Sequence, residues 1–173
     1  MGAAAQRLSK GEVRWSAALI VVLTGTNPYS FDRLVKPIDA LAARNGWDVF
    51  IQLGNTTYEP RHCRYERFVE RSVLMEMISR AEVIVAQGGY GSIRDALLYD
   101  KPIVAVPRHP ELNESTDRQE EIVRAMERDG YLIGVYDITR LEDAIGRARA
   151  FRPKDRKHSR IPALLADFIG TIK

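Results

Sequence analysis

The sequence has few of the residues that build disulfide or metal-bound frameworks. It contains one cysteine, Cys63, and three histidines among its 173 residues. A single cysteine excludes an internal disulfide and any cysteine-based metal cluster, and such low usage is typical of the cytoplasm. No set of carboxylates or histidines has the spacing of metal ligands, so we expect neither a bound metal nor a cofactor.

The sequence also lacks long apolar runs, and its positive charge is uneven. No stretch approaches the length of a membrane span. The net charge is +3, yet residues 147–160 alone hold seven Lys/Arg against one Asp. Such a block is usually a solvated segment, although it could also lie near anionic lipid headgroups. Phe151 is the single aromatic residue of that segment, so nucleic acid is not an expected partner.

Short β-branched runs alternate with helical patterns along the chain. Strands are predicted over 17–24, 47–53, 63–69, 82–87, 101–107 and 131–136, and helices over 31–45, 71–81, 91–100, 115–130 and 138–151. This alternation predicts an α/β fold, a Rossmann-like parallel sheet flanked by helices. We expect Pro37 to kink the first helix, Ser115 to cap the fourth and Gly130 to end it.

The pattern divides the chain into three parts. Residues 1–16 are expected to be a flexible leader, and residues 17–151 the Rossmann-like domain. Residues 152–173 hold the end of the basic run and a short amphipathic helix. That helix either packs on its own domain or docks a partner.

Polar and glycine residues follow four of the predicted strands, where parallel sheets bind ligands. The loops begin at Gly25, at Gly54, at Gln87 and at Arg108. In the third, QGGYGS leads into a helix, and the N-terminus of a helix attracts anions such as phosphates. Its spacing fits neither a dinucleotide fingerprint nor a P-loop. The alternative is a tight turn in which Ser92 is only an N-cap.

Two carboxylates near these loops are ambiguous as isolated residues. Asp95, one turn into the helix after QGGYGS, could bond a ribose hydroxyl or simply complement the helix N-terminus. Asp117, in NESTDRQ, could serve helix capping alone.

Taken together, several stretches resemble the C-terminal domain of glycosyltransferase family 28, and more narrowly its small stand-alone members. These are the PssE-type subunits of exopolysaccharide glycosyltransferases and the catalytic subunit of the dolichol-linked GlcNAc transferase. The stretches are VVLTGTNPYSFDRLVKPID, VFIQLGN, AEVIVAQGGYGSIRDALLYDKPIVAVPR and NESTDRQ, in the family's order. The resemblance implies the donor-binding half of a GT-B enzyme, which uses a UDP-sugar and no tightly bound metal.

The resemblance also implies roles for individual residues. Gly89, Gly91 and Ser92 would cradle the diphosphate, Gly88 would line the donor site beside them, and Asp95 would contact the ribose. Asp117 and Gln119 would face the donor sugar and diphosphate. The remaining residues expected to line the donor site are Thr26, Asn27, Asn55, Gln87 and Arg118. A membrane-anchored partner subunit would supply the site for a lipid-linked acceptor, which places this chain at the inner face of the membrane.

The sequence departs from the family pattern at two positions. Gln87 stands where a His usually precedes the glycine pair, and Arg118 stands where a His is common. Gln87 can donate a hydrogen bond but cannot carry charge, so its catalytic role stays open. A non-catalytic module of the same fold is therefore the alternative to an active subunit. An unrelated hydrolase that uses Cys63 with His62, His109 or His158 is a third reading.

Overall fold

The computed structural model describes residues 16–154, which form one layered α/β unit. The strands are β1 (Ile20–Leu23), β2 (Val49–Gln52), β3 (Arg64–Glu66), β4 (Val83–Gln87), β5 (Ile103–Val106) and β6 (Ile133–Gly134). The helices are α1 (Asp32–Asn45), α2 (Arg71–Arg80), α3 (Tyr90–Leu97), α4 (Glu120–Arg128) and α5 (Leu141–Ala148). Short 3-10 turns cover Pro110–Leu112 and Ile138–Arg140.

All strand pairs are parallel, and the spatial order is β3-β2-β1-β4-β5-β6. The predicted Rossmann-like parallel sheet is therefore confirmed. The chain runs outward from β1 to β3 and then returns to place β4 on the other side of β1. This reversal creates a crevice at the carboxyl ends of β1 and β4, where open α/β sheets bind ligands.

Two apolar layers cover the sheet, one on each face. The side chains of β1 alternate, so that Ile20 and Val22 join the layer under α1 and α5, while Val21 and Leu23 join the layer under α2, α3 and α4. Strands β1, β2, β4 and β5 are therefore buried on both faces, which explains their mostly apolar sequences. No helix within residues 16–154 is long and apolar enough to cross a membrane.

Two local predictions need correction and one is confirmed, while a kink at Pro37 stays a prediction. Helix α1 continues through Pro37 to Asn45, where Gly46 caps it with φ 65°. The fourth helix begins at Glu120 rather than Ser115, and the Ser115 hydroxyl donates instead to the Asp117 carbonyl. The predicted helix 138–151 is a 3-10 turn followed by the shorter α5. Gly130 follows the end of α4 with φ 81°, as predicted.

The predicted leader (except residue 16), the end of the basic run (155–160) and the C-terminal helix lie outside the described residues, as does His158.

Candidate functional site

The crevice between β1 and β4 is formed by the loops that the sequence singled out. The turn after β4 leads directly into α3, whose N-cap is Gly89. The first intrahelical bond runs from the Ile93 amide to the Gly89 carbonyl. The amides of Tyr90, Gly91 and Ser92 precede it and have no acceptor within the helix. Three N–H groups and the positive end of the helix dipole thus lie at the crevice.

Ser92 is not an N-cap, contrary to the alternative interpretation of the turn. It lies inside the first turn of α3, three residues beyond Gly89. Its half-buried hydroxyl is therefore part of the helix N-terminus itself.

The three glycines of the turn do different things. A Cβ on Gly88 would lie 2.8 Å from side-chain atoms of Gln119 and Val123, so this glycine allows α4 to pack closely. A Cβ on Gly89 would lie 3.2 Å from Gln87 Nε2 and 3.7 Å from Gln119 Nε2. Gly91 is exposed, and a Cβ there would meet nothing within 4 Å. Packing therefore explains Gly88, but it does not explain Gly91.

Gln87 lies at the end of β4 with 8% of its surface exposed. Its Oε1 accepts a 2.7 Å hydrogen bond from Arg108 Nε and a 3.4 Å bond from Asn27 Nδ2. Its Nε2 has no acceptor among the described residues, and it lies beside Gly25 and Gly89. The amide therefore presents a donor at the N-terminus of α3.

The loop after β1 is held by the Gln52 side chain and lies against the Gln87 amide. Gly25 adopts φ 80°, and its N–H and carbonyl both bond the Gln52 side chain, at 3.0 and 2.9 Å. A Cβ on Gly25 would lie 1.9 Å from Gln87 Nε2, so only glycine permits this approach. Asn55 Nδ2 donates to the Asn27 carbonyl at 2.8 Å and joins the loops after β1 and β2. Thr26 is exposed beside them.

The sequence did not single out Arg108 as a site residue, yet within residues 16–154 it is the largest fully buried side chain. Burial lowers the pKa of its guanidinium to about 10, which leaves it protonated at neutral pH. Its carbon Cζ lies 4.2 Å from the Phe31 ring centroid, a cation–π contact. A polar residue directly after a buried strand was the one available signal.

The two residues of the Asp-x-Gln motif, Asp117 and Gln119, lie in different surroundings. The Gln119 Oε1 accepts from the Arg108 amide at 3.1 Å, and its side chain lies against the glycine turn. Asp117 and Arg118 are exposed, and the Arg118 guanidinium pairs with Glu111 in the same loop. Among the described residues, no hydrogen bond joins either side chain to the α3 turn.

Asp95 is held by two arginines. Its carboxylate accepts two hydrogen bonds from Arg71, at 3.0 and 3.1 Å, and one from Arg94, at 3.1 Å. The residue is 7% exposed. Burial alone would raise the pKa of Asp95, but the hydrogen bonds from Arg71 and Arg94 outweigh it and hold the pKa below its usual value. The carboxylate is therefore ionised and braces α3 against the start of α2.

The hydrolase reading does not fit the structure. Cys63 lies at the amino end of β3, on the edge of the sheet opposite the crevice, and it is 4% exposed. Burial, reinforced by the nearby Asp39 carboxylate, raises the pKa of the Cys63 thiol far above its usual range. A neutral buried thiol is a poor nucleophile.

Solved structures share this fold. A glycotransferase of kitacinnamycin superposes with a TM-score of 0.60 at 18% identity, over 84% of this chain and 38% of that one. ALG13 superposes with a TM-score of 0.54 at 16% sequence identity, over 90% of this chain and 96% of that one. MurG from Acinetobacter baumannii superposes with a TM-score of 0.51 at 12% sequence identity, over 93% of this chain and 51% of that one. No curated protein sequence matches the chain.

The chain thus spans about two fifths of the kitacinnamycin enzyme and half of MurG, but nearly all of ALG13. At these identities the likeness concerns the fold. The family comparison is stronger, because the model of the glycosyltransferase family 28 C-terminal domain matches residues 19–167, most of the sequence. The expected fold class is confirmed, and the chain belongs to the glycosyltransferase family 28 C-terminal domain family.

Proposed function

We propose that this chain is the donor-binding subunit of a two-component glycosyltransferase, and that it binds a UDP-sugar at the crevice between β1 and β4. The observation that carries the proposal is the convergence of donors at the start of α3. Free amides of the first turn and the Gln87 amide group lie together there, beside the exposed Gly91. A diphosphate is the anion that such a set of donors suits.

In this proposal, the chain contributes to catalysis by stabilising the leaving group. Transfer of the sugar releases a nucleoside diphosphate, and preorganised amides with a helix dipole stabilise the charge that develops on it. Gln87 takes part as a hydrogen-bond donor, because a carboxamide is not basic enough to accept the acceptor's proton. The base would then come from the acceptor-binding partner. No metal is required for this step.

Asp95 is the proposed contact for the ribose. It is ionised and lies one turn beyond the glycines, although both of its oxygens are engaged by Arg71 and Arg94. A ribose hydroxyl would have to share these oxygens with the arginines. The Asp117 side chain is exposed in the loop before α4 and is available to a sugar from that side.

The proposed partner is a membrane-anchored subunit that binds a lipid-linked acceptor at the inner face of the membrane. Three exposed apolar side chains follow the carboxyl ends of β3, β4 and β5, namely Phe68, Tyr90 at the start of α3, and Leu112 in a 3-10 turn. In a GT-B arrangement this edge faces the second domain, and residues 16–154 contain only one such unit. Exposed apolar groups around a ligand site favour a protein surface that covers it.

A Gly91→Ala substitution tests the donor site. Alanine is favoured over glycine inside a helix by roughly 0.5–1 kcal/mol, so the variant should melt about 1–4 °C higher than the wild type. If a diphosphate approaches this backbone, however, the new methyl group weakens UDP binding. We expect about tenfold weaker binding by titration calorimetry, which corresponds to about 1.4 kcal/mol.

Gly146→Ala is the matched control. Gly146 lies in α5, which packs on the opposite face of the sheet from α3, and a Cβ there also meets nothing within 4 Å. This variant should gain similar stability and bind UDP like the wild type. Wild-type affinity in Gly91→Ala would contradict a donor site at α3.

The second candidate is a non-catalytic module that stabilises another transferase subunit, favoured by Gln87 at the position of the usual His. Reconstitution with the partner distinguishes the two. Loss of transfer in Gln119→Ala, with the complex intact, would reject the non-catalytic reading. Undiminished transfer in that variant would support it.

A further inference from the structure

Arg108 is a buried charge that no carboxylate neutralises directly. It is 1% exposed, and each of its hydrogen-bond acceptors within residues 16–154 is an uncharged oxygen. The nearby Glu114 carboxylate is instead occupied by Arg33, through two 2.8 Å bonds, and by the His109 amide. Burying a cation without a counterion is costly, and an apolar side chain would fill the space more cheaply. The position of this charge therefore needs a reason beyond packing.

The guanidinium joins the three central loops of the crevice. Its acceptors are the carbonyls of Thr24, Tyr29 and Ser30 after β1, the Gln87 amide oxygen at the end of β4, and the Glu114 carbonyl after β5. The shortest bonds are those to Thr24, at 2.6 Å, and to Gln87, at 2.7 Å. These two acceptors lie at the ends of β1 and β4, on the two sides of the crevice.

This contact determines which way the Gln87 amide faces. An arginine side chain has donors only, so the amide must present its oxygen to Arg108 and its NH₂ group to the opposite side. Asn27 also donates to the same oxygen. The NH₂ group then lies 3.2 Å from the position of a Cβ on Gly89, at the start of α3. The reversed amide would place its oxygen there, where it would repel a phosphate.

We propose that Arg108 is a positioning residue, which holds the Gln87 amide so that Nε2 donates to the diphosphate of the donor. This inference rests on the proposed function. It explains why Gln can stand where the family usually has His, because a buried guanidinium fixes the amide as a donor. The buried cation also adds positive potential beneath an anion-binding turn, where it lacks a counterion of its own.

The test combines UDP titration with NMR spectroscopy of the full chain. The Gln87 side-chain ¹⁵N–¹H₂ resonances are assigned by their loss in Gln87→Glu. That variant keeps an oxygen acceptor for Arg108 but replaces the donor, so we expect a folded protein whose UDP affinity falls by about tenfold or more, the loss of one charge-assisted hydrogen bond. In the wild type, saturating UDP should shift the Gln87 amide resonances.

Arg108→Lys tests the positioning role itself. Lysine keeps the charge but lacks the planar set of donors that binds Gln87 and the carbonyls together. UDP affinity should fall about tenfold, and UDP should no longer shift the Gln87 amide resonances. Arg67→Lys is the matched control, because Arg67 bonds the Gly54 and Thr56 carbonyls at the same edge without touching Gln87. It should bind UDP like the wild type.

The outcomes separate this inference from the proposed function. A wild type that does not bind UDP overturns both. A wild type that binds UDP, with a folded Arg108→Lys variant of equal affinity, overturns the positioning role alone. If Arg108→Lys does not fold, the wild-type spectrum decides, since Gln87 amide resonances that stay unmoved at saturating UDP would also reject the inference.

Discussion

Gly25→Ala is expected to damage both the stability of this protein and the proposed donor site, because Gly25 lies against the Gln87 amide. At φ 80°, a residue with a Cβ costs roughly 1–2 kcal/mol of backbone strain. In addition, the methyl group would lie 1.9 Å from Gln87 Nε2 and 2.8 Å from Gln87 Cδ. The backbone cannot easily withdraw, since Gln52 holds both the N–H and the carbonyl of Gly25.

Gln87 must therefore move, and its 2.7 Å bond to Arg108 is lost. A buried donor left without its acceptor costs about 1–3 kcal/mol, which adds to the backbone strain. The total expected loss of unfolding free energy is about 2–5 kcal/mol. For a chain of this size, each kcal/mol lowers the Tm by about 2–4 °C. UDP affinity should fall as well, because the amide donor is displaced.

Gly46→Ala separates the two contributions. Gly46 has φ 65° at the end of α1, and a Cβ there meets nothing within 4 Å. It should lose only the backbone term, roughly 1–2 kcal/mol, with unchanged UDP affinity. The measurements are urea unfolding and titration calorimetry with UDP. Equal stability and equal affinity in the two variants would refute the proposed contact between Gly25 and Gln87.

Two further predictions concern carboxylates near the crevice. Burial alone would raise the pKa of Asp32, but hydrogen bonds from Ser30, the Tyr58 amide, Lys36 and Thr57 outweigh it and lower the pKa from 3.8 to about 2. This lowered pKa stabilises the fold by about 2 kcal/mol above pH 4, and the contribution is lost as the pH falls toward 2. In urea unfolding, Asp32→Asn should thus be less stable at pH 7 and approach the wild type near pH 2; a constant difference would contradict the assignment. Asp95→Ala should weaken UDP binding more than Arg71→Met, because only the former removes the proposed ribose contact. Equal affinities with equally lowered Tm values would instead indicate that Asp95 only braces α2 against α3.

Much of the fold could be predicted because its signals are local. Continuous apolar runs such as residues 19–23 and 83–86 are buried on both faces in a parallel sheet, and this requirement is visible in the sequence. Gly130 ends α4 with φ 81°, a conformation that glycine adopts without strain. The glycine turn before α3 was identified for the same reason, since it directly joins a strand to a helix.

The predicted start of α4 at residue 115 was wrong, because long-range contacts override the local sequence pattern there. Residues 115–119 have the composition of a helix start, yet their polar groups are engaged elsewhere. The Gln119 amide oxygen accepts from the Arg108 backbone, and the Ser115 hydroxyl bonds the Asp117 carbonyl. The Glu114 carbonyl just before them accepts from the Arg108 guanidinium. These bonds hold the segment as a loop until Glu120.

The amino-acid sequence by itself determined the parallel α/β architecture, the edge of the sheet that carries the polar loops, and the resemblance to a glycosyltransferase family. The first two follow from short-range periodicity and from residue types at strand ends, and the resemblance rests on the stretches of sequence that match the family. Only the tertiary structure decided the orientation of the Gln87 amide and the burial of Arg108. The bond between Arg108 and Thr24 spans 84 residues of sequence, and no local pattern carries information over that distance. A charge is buried there because folding brings three loops of carbonyl oxygens to one point.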